Sequence, residues 1–210
     1  MEQQKLPAGK FTDWLNTTKN TLHNNQGADV PCGSCTACCT SSYFIHIRPD
    51  EKETIARIPK ELLFPAPGFP KGHKVMGFDE KGHCPMLKEN KCTIYEDRPI
   101  TCRTYDCRVF PVSGLTAGGK KKTLINQQAR RWKFDFDKKE DLTTLKAIQT
   151  AARFLLQHRK EFPDDFVPSN PTQVAILAIK VYEVFLKTEA NSSIPEIIKN
   201  IVRTVGYKKS

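Results

Sequence analysis

The segment Pro31-Cys32-Gly33-Ser34-Cys35-Thr36-Ala37-Cys38-Cys39 carries four thiols in the spacing C-x2-C-x2-C-C. A C-x2-C turn brings two sulfurs within reach of one ion, and backbone amides inside the turn can donate to the thiolates and offset their charge. Cys38 and Cys39 are adjacent, so their side chains leave the backbone in different directions. A cluster, or two neighbouring metals, suits such a pair better than a single mononuclear ion. A second group, Cys84, Cys92, Cys102 and Cys107, lies in the stretch HCPMLKENKCTIYEDRPITCRTYDCR. Seven, nine and four residues separate its members, which is not a zinc-ribbon spacing, so converging loops are required. Pro99 is expected to start a short helix carrying Cys102 and Arg103, where the helix dipole and Arg98, Arg103 or Arg108 would stabilise a thiolate. His83, beside Cys84, is the one histidine placed like a ligand. His46, in the alternating run YFIHI, reads as a strand residue.

A lone cysteine is usually a small buried apolar residue. Eight of them, all between Cys32 and Cys107, need another reason, and metal binding is the reading that their clustering favours. A thioredoxin-like dithiol at Cys32 and Cys35 would need a βαβ context that is missing, and it leaves Cys38 and Cys39 without a role. The first twenty residues, MEQQKLPAGKFTDWLNTTKN, hold no continuous apolar stretch. The expected location is therefore the cytoplasm, where reduction disfavours a disulfide framework. No apolar run is long enough to span a membrane, so no membrane partner is expected. The formal charge of +10 would fall to +2, ten less eight, if every thiol ionised, so part of the basicity can serve the cysteines.

Other motifs weaken on inspection. Gly114-Leu115-Thr116-Ala117-Gly118-Gly119-Lys120-Lys121 nearly spells a phosphate-binding loop, but Lys121 stands where Ser or Thr must hold magnesium. The stretch reads as a flexible basic loop. Lys120, Lys121 and Lys122, with Arg130, Arg131 and Trp132 nearby, have the composition of a nucleic-acid contact, although such charge runs are usually solvated faces. H-E-x-x-H, Gly-x-Ser-x-Gly and Gly-x-Gly-x-x-Gly patterns are absent, as is the C-x3-C-x2-C spacing of radical enzymes.

The elements that must position the thiols are short in the first half of the chain. Pro59, Pro65, Pro67 and Pro70, with Gly68, Gly72, Gly77 and Gly82, break up long helices there. Ahead of them, Phe11, Trp14, Leu15, Thr18 and Leu22 form a helical stripe. Beyond Cys107 the pattern is helical: Leu142, Leu145, Ile148, Ala152, Leu155 and Leu156 share one face. PDDFVPSN reads as a turn, after which Asn170 caps a helix with Pro171 at its first position. That helix carries Val174, Leu177, Ala178, Val181 and Phe185 and should be largely buried. A third helix starts at the capping-box pattern Ser193-x-x-Glu196, carries Ile194, Ile197, Ile198, Ile201, Val202 and Val205, and stops near Gly206. Trp132, Phe134 and Phe136 alternate as in a strand.

The run CGSCTACC, then CPML, CTIYEDRPITCR and TYDCR, resembles the CxxCxxCC proteins, the YkgJ-type family of cysteine-cluster proteins with a zinc- or iron-chelating domain. The likeness covers about residues 30 to 110, and Tyr95, Arg98 and Pro99 share in it. It implies a metal centre of Cys32, Cys35, Cys38, Cys39, Cys84, Cys92 and Cys102, with Cys107 matching an extended subgroup, and with Tyr95, Arg98 and Arg103 behind the ligands. A flagellin lysine N-methylase family has a similar cysteine domain, which implies a protein-modifying enzyme as one alternative; a site for the methyl donor is not recognisable. The expected architecture is mainly α, a loop-rich cysteine/metal module packed against a C-terminal helical layer. Its expected divisions are an N-terminal helix or arm (1–29), the cysteine module (30–125) and a helical supporting region of the same domain (126–210). The expected cofactor is an iron–sulfur cluster, preferred over zinc because adjacent cysteines and eight sulfurs without convincing histidines suit a sulfur-rich centre. Electron transfer follows if iron is bound. A zinc-stabilised nucleic-acid-associated protein is the other alternative, and the partner is a protein or substrate that the residues do not name.

Overall fold

A computed structural model describes residues 4–24, 30–187 and 192–206; the rest of the expected N-terminal arm, residues 1–3 and 25–29, lies outside them. In chain order the elements are β1 (Leu6–Lys10), α1 (Phe11–Asn24), β2 (Ile45–Ile47), α2 (Lys52–Arg57), β3 (Leu63–Pro65), β4 (Lys74–Met76), β5 (Leu87–Lys88) and β6 (Lys91–Cys92). They continue with α3 (Ile100–Arg103), α4 (Val109–Ser113), α5 (Thr123–Arg131), β7 (Trp132–Asp135), α6 (Lys139–Gln157), α7 (Pro171–Lys187) and α8 (Ile194–Val205). The protein is mainly α, with small sheets in its cysteine-bearing part. None of the described helices is long and apolar enough to cross a membrane. The chain forms two compact units: 1–19 with 108–118 and 129–210, and 20–107 with 119–128.

In the first unit, α6 and α7 pack through small side chains. Ala151 and Ala152 of α6 and Ala175 and Ala178 of α7 are fully buried, which lets the two backbones approach closely, and Ile148, Leu155, Val174, Ile179 and Val181 fill the remaining space. α4 packs on both helices and α8 on α7. Asn170 caps α7 as expected, its Oδ1 accepting from Thr172 N at 2.8 Å. Ser193 sits at the N-cap of α8, but its side chain makes no capping hydrogen bond, so the expected capping box does not form. α8 ends where expected, with Gly206 in the left-handed conformation at φ 66°. Leu142 and Leu156, assigned from periodicity to the buried face of α6, are exposed, while their neighbours Asp141 and Leu155 are buried, so these two leucines lie on the outward side near the helix ends.

The expected strand at Trp132 forms as β7, though Phe136 falls just outside it. Its partner escaped the sequence reading: β1 pairs with it in parallel from Leu6 to Lys10, with a register shift between Pro7 and Gly9. LPAGK has no strand periodicity, and its pairing is long-range. Phe11 follows directly and packs its ring against Trp14, Phe134 and Phe136, edge-on to Phe134 and tilted to the other two. Buried Asp141 accepts from the Thr12 hydroxyl and from Lys138 N, tying the start of α1 to the start of α6.

In the second unit, β2, β4 and β3 form an antiparallel sheet in that order. Ile47 and Met76 from the sheet meet Ile58, Met86 and Ile94 in a small core, on which Cys84 and Cys92 pack. The segment Lys120–Lys122, expected to be a flexible loop, is a 3-10 turn. Lys122 donates to the Ser41 carbonyl, and its ammonium lies over the Tyr43 ring, 3.4 Å from the centroid.

The close approach of α6 and α7 sets a test. Ala151→Leu should lower stability by about 1–3 kcal/mol through overpacking, read as a lower denaturant midpoint. An unchanged midpoint would show that the two helices leave room the buried alanines do not suggest.

Candidate metal centre

The first cysteine group sits on a turn followed by a single helical loop. Cys35 N donates to Cys32 O at 3.0 Å, and Thr40 N to Thr36 O at 3.1 Å. The Thr40 and Ser41 hydroxyls reinforce this turn by donating to the Thr36 and Ala37 carbonyls. Side-chain hydroxyls thereby occupy carbonyls that a longer helix would use, and the local geometry is kept without one.

The second group is brought to the first by main-chain hydrogen bonds. Cys84 N donates to Cys39 O at 2.7 Å, and Ser42 N to Gly82 O at 2.9 Å. Gly82 adopts φ +81°, a conformation that favours glycine, and a Cβ there would force the Ser42 hydroxyl to turn away. The turn ahead of it is closed by Asp79, whose Oδ1 accepts from Lys81 N and His83 N. These backbone N–H donors, that of His83 first, hold the Asp79 carboxyl below its usual range.

Cys92 ends the tight hairpin β5–β6, opposite Leu87. Its two loop residues, Glu89 and Asn90, both take positive φ, as a twisted two-residue hairpin demands. Cys102 lies on α3, started by Pro99 as expected. Glu51 holds that helix in place: its two carboxylate oxygens accept from Arg48 N at 2.7 Å and from Ile100 N at 2.6 Å. Thr101 donates to His46 O at 2.7 Å, which ties α3 to β2.

The result is a set of thiols close enough to act on one another. Cys39 feels Cys38, Cys84 and Cys102; Cys84 feels Cys92 and Cys38; Cys102 feels Cys84, Cys38 and Cys92. Cys38 and Cys107 both act on the half-buried Tyr105, whose hydroxyl meets that of Tyr43. Cys32 and Cys35 are half-buried at the two ends of the first turn, and Cys107 is buried. All eight cysteines are free of disulfides. Among the described residues, no three His, Cys, Asp or Glu side chains are arranged to hold one ion. The sulfurs are gathered, but they are not laid out as a coordination shell.

Ionisation across the set is uneven. The Cys39 thiol donates to Cys38, which outweighs burial and lowers the Cys38 pKa to about 7. That same donated hydrogen bond, with burial next, pushes Cys39 far up. Burial raises Cys84, and Cys92 and Cys38 add to the rise. Cys102 is pushed up to about 12, first by burial and then by Cys84, Cys38 and Cys92, against a smaller opposing effect of Arg98. The expectation that a dipole and arginines stabilise a Cys102 thiolate is therefore reversed, because burial outweighs Arg98. α3 spans only Ile100–Arg103, too short for a sizeable dipole.

The three expected arginines behave differently. Arg98 lies over the Tyr95 ring, 3.9 Å from its centroid, and donates to the Tyr95 carbonyl at 2.7 Å. Arg103 buries its Nε, which finds no acceptor. Arg108 belongs to the other unit, where it donates to Ala8 O and lies over Trp132. Of the histidines, His46 sits in β2 as expected, bonded to His73 at 2.8 Å, while His83 is held through its backbone in the Asp79 turn. Sequence reasoning missed Glu51 and Asp79, and an isolated carboxylate between a strand and a helix gives no motif by which to find it.

The Cys38–Cys39 contact can be tested in metal-free protein. Alkylation of Cys38, followed by peptide mass mapping, should accelerate as pH rises through about 7. Cys39→Ala removes the S–H donor and should move that inflection up toward the ordinary thiol value of 9.0; an unmoved inflection would show that Cys39 does not donate.

Neither a curated protein nor a solved structure matches the chain. A family model does match, over residues 31–131, the span that holds every cysteine, from the first turn to the end of α5. The matching model is that of CxxCxxCC, described as "Putative zinc- or iron-chelating domain", and the segment is similar to it.

Proposed function

We propose that the cysteine module binds an iron–sulfur cluster in preference to zinc, through Cys32, Cys35, Cys38, Cys39, Cys84, Cys92, Cys102 and Cys107, and that it works in electron transfer in the cytoplasm. The observation that carries this reading is the crowding of at least five thiols from both sequence groups with no histidine among the groups that perturb them. All-sulfur sets select zinc or iron–sulfur centres. Adjacent Cys38 and Cys39 favour the second, because two sulfurs that diverge from neighbouring backbone positions reach two metal atoms more easily than one.

The donor set fits such a group. Thiols pushed up by burial and by one another stay protonated until a cation offsets their charge, and a bound metal would release those protons. The buried Arg103 Nε, next in sequence to Cys102 and without an acceptor, is a donor that a thiolate or sulfide would satisfy. When bound, an iron–sulfur cluster supplies a one-electron redox couple. The protein's own residues gather the sulfurs, exclude water around Cys102 and place Arg98 beside it. A cavity of about 710 Å3 lies in the helical unit, between Phe162, Phe166, Ile176 and Leu177, and no cysteine lines it.

Anaerobic purification with elemental analysis should give iron and acid-labile sulfide together with visible charge-transfer absorption; zinc alone, in a colourless protein, would overturn the preference for iron. Replacing Cys35 or Cys102 by Ser should each lower the metal content. A Cys102→Ser protein that kept all its metal and its native spectrum would remove the second cysteine group from the site. Chelation should also lower the melting temperature, since a module of short elements has a small core of its own; equal melting of metal-free and metal-loaded protein would sever metal from fold.

A further inference from the structure

The outer face of the β2–β4–β3 sheet holds a row of aromatic rings that the metal site does not use. Strand alternation puts Ile45, Met76 and Leu63 at one cross-strand level and His46, Val75 and Phe64 at the next. The first set faces the small core, so the second faces outward. Phe44, two residues before His46 on the same face, lies beside Gly77, where a Cβ would meet its ring in ordinary contact at 3.7 Å. It also meets Phe78, with ring centroids 5.0 Å apart.

On the other side of His46 the rings lie nearly parallel. Phe69 stacks on His46 with centroids 4.3 Å apart and 26° between planes, and His73 lies 5.0 Å from His46 at 15°. Burial and the neighbouring His73 keep His46 below the usual imidazole range, so it is a neutral stacking ring at pH 7. Phe44 is 67% exposed, Phe64 55% and Phe69 54%. Three phenylalanines more than half in water on one small sheet are costly to leave without a partner.

Cations stand at both ends of the row. Lys121 Nζ lies 5.8 Å from the centroid of Phe78, and exposed Lys71 sits in the turn between Phe69 and His73. Asp79, the nearest acid in sequence to Phe78, spends its carboxylate on the backbone of Lys81 and His83. Exposed π-faces flanked by lysines match bases flanked by phosphates. Phe44 and His46, alternate residues of one extended segment, stand roughly 6.8 Å apart, about twice the 3.4 Å stacking rise of a duplex strand, with Phe64 and Phe69 added from β3 and the β3–β4 turn. Such a row therefore fits bases splayed along a stretched single strand and not a paired helix.

We propose that this face binds single-stranded RNA, with bases stacking on Phe44, Phe69 and Phe64 and with Lys71 and Lys121 contacting phosphates. RNA is favoured because its loops and ends are where cells mainly present unstacked bases. This surface is independent of the cysteine ligands, so its failure leaves the metal reading untouched.

The test titrates the metal-loaded full chain into a labelled oligouridylate of about ten nucleotides, followed by fluorescence anisotropy at about 50 and 200 mM salt. Single-stranded RNA should bind, more weakly at the higher salt, and better than a duplex or than single-stranded DNA of matched length. Phe44→Leu and Phe69→Leu keep apolar area but lose the ring, and each should cost at least about fivefold in affinity with metal content and melting unchanged; Phe44→Tyr should retain binding. Lys121→Ala should lower the salt slope by about one. Absence of binding, equal affinity for duplex, preference for DNA, or leucine variants that bind like the parent would each overturn the proposal. So would a parent protein that sediments as a dimer while Phe44→Ala sediments as a monomer, because the row would then be an interface between two copies.

Discussion

Thiols crowded into one partly dry site cannot all ionise, and the cysteine-bearing unit is arranged around that constraint. Burial makes each thiolate costly and every one formed makes the next costlier, which is why Cys84 and Cys102 are pushed up, while Cys39 is raised first by the hydrogen bond it donates to Cys38 and then by burial. One escape is internal: Cys39 gives its proton to a hydrogen bond, and Cys38 alone is brought near neutrality. The other escape is a cation. With the first half of the chain rich in thiols and the whole carrying a charge of +10, the sequence supplies positive side chains, but only Arg98 opposes the rise at Cys102, and its effect is minor. A side-chain cation with so small an effect does not replace a metal among the sulfurs.

Positioning comes from polar ties more than from apolar mass. The small core of Ile47, Ile58, Met76, Met86 and Ile94 supports the cysteines from one side. Glu51 joins the start of α2 to the start of α3, Thr101 joins α3 to β2, and Asp79 shapes the turn that delivers Cys84. Each tie satisfies backbone donors or acceptors that short elements leave unpaired. A unit with four-residue helices and two-residue strands has many such groups, and charged side chains answer them strongly because a hydrogen bond to a carboxylate is about twice as strong as a neutral one.

The helical unit was largely legible in the sequence, because long helices write their burial as a 3.6-residue period. α7 shows this best: its apolar stripe, its Asn170 cap and its Pro171 start all appear where the pattern puts them. The pattern is less informative at helix ends, as exposed Leu142 and Leu156 show. β1 was not legible, since Leu6–Lys10 acquires its conformation by pairing with Trp132–Asp135, far away in the chain. Cysteine spacing identified the chemistry of the site, yet not its geometry. Nothing in CPML or CTIYEDRPITC announces that Cys84 N will bond Cys39 O, or that Glu51 will hold the helix of Cys102. Long-range backbone contacts leave no local signature in residue type.

The hydrogen bond between Cys84 N and Cys39 O closes a loop whose interior holds the entire three-stranded sheet. Loop-closure entropy grows only logarithmically, by about 0.6 kcal/mol for each doubling of length. The exposed turn between β3 and β4, from Pro67 to Gly72, can therefore lengthen or shorten through insertions and deletions while the sulfurs keep their register. Evolution could vary the aromatic surface, which includes Phe69, at nearly constant metal chemistry, so lineages that share the same thiols are free to diverge in what they recognise.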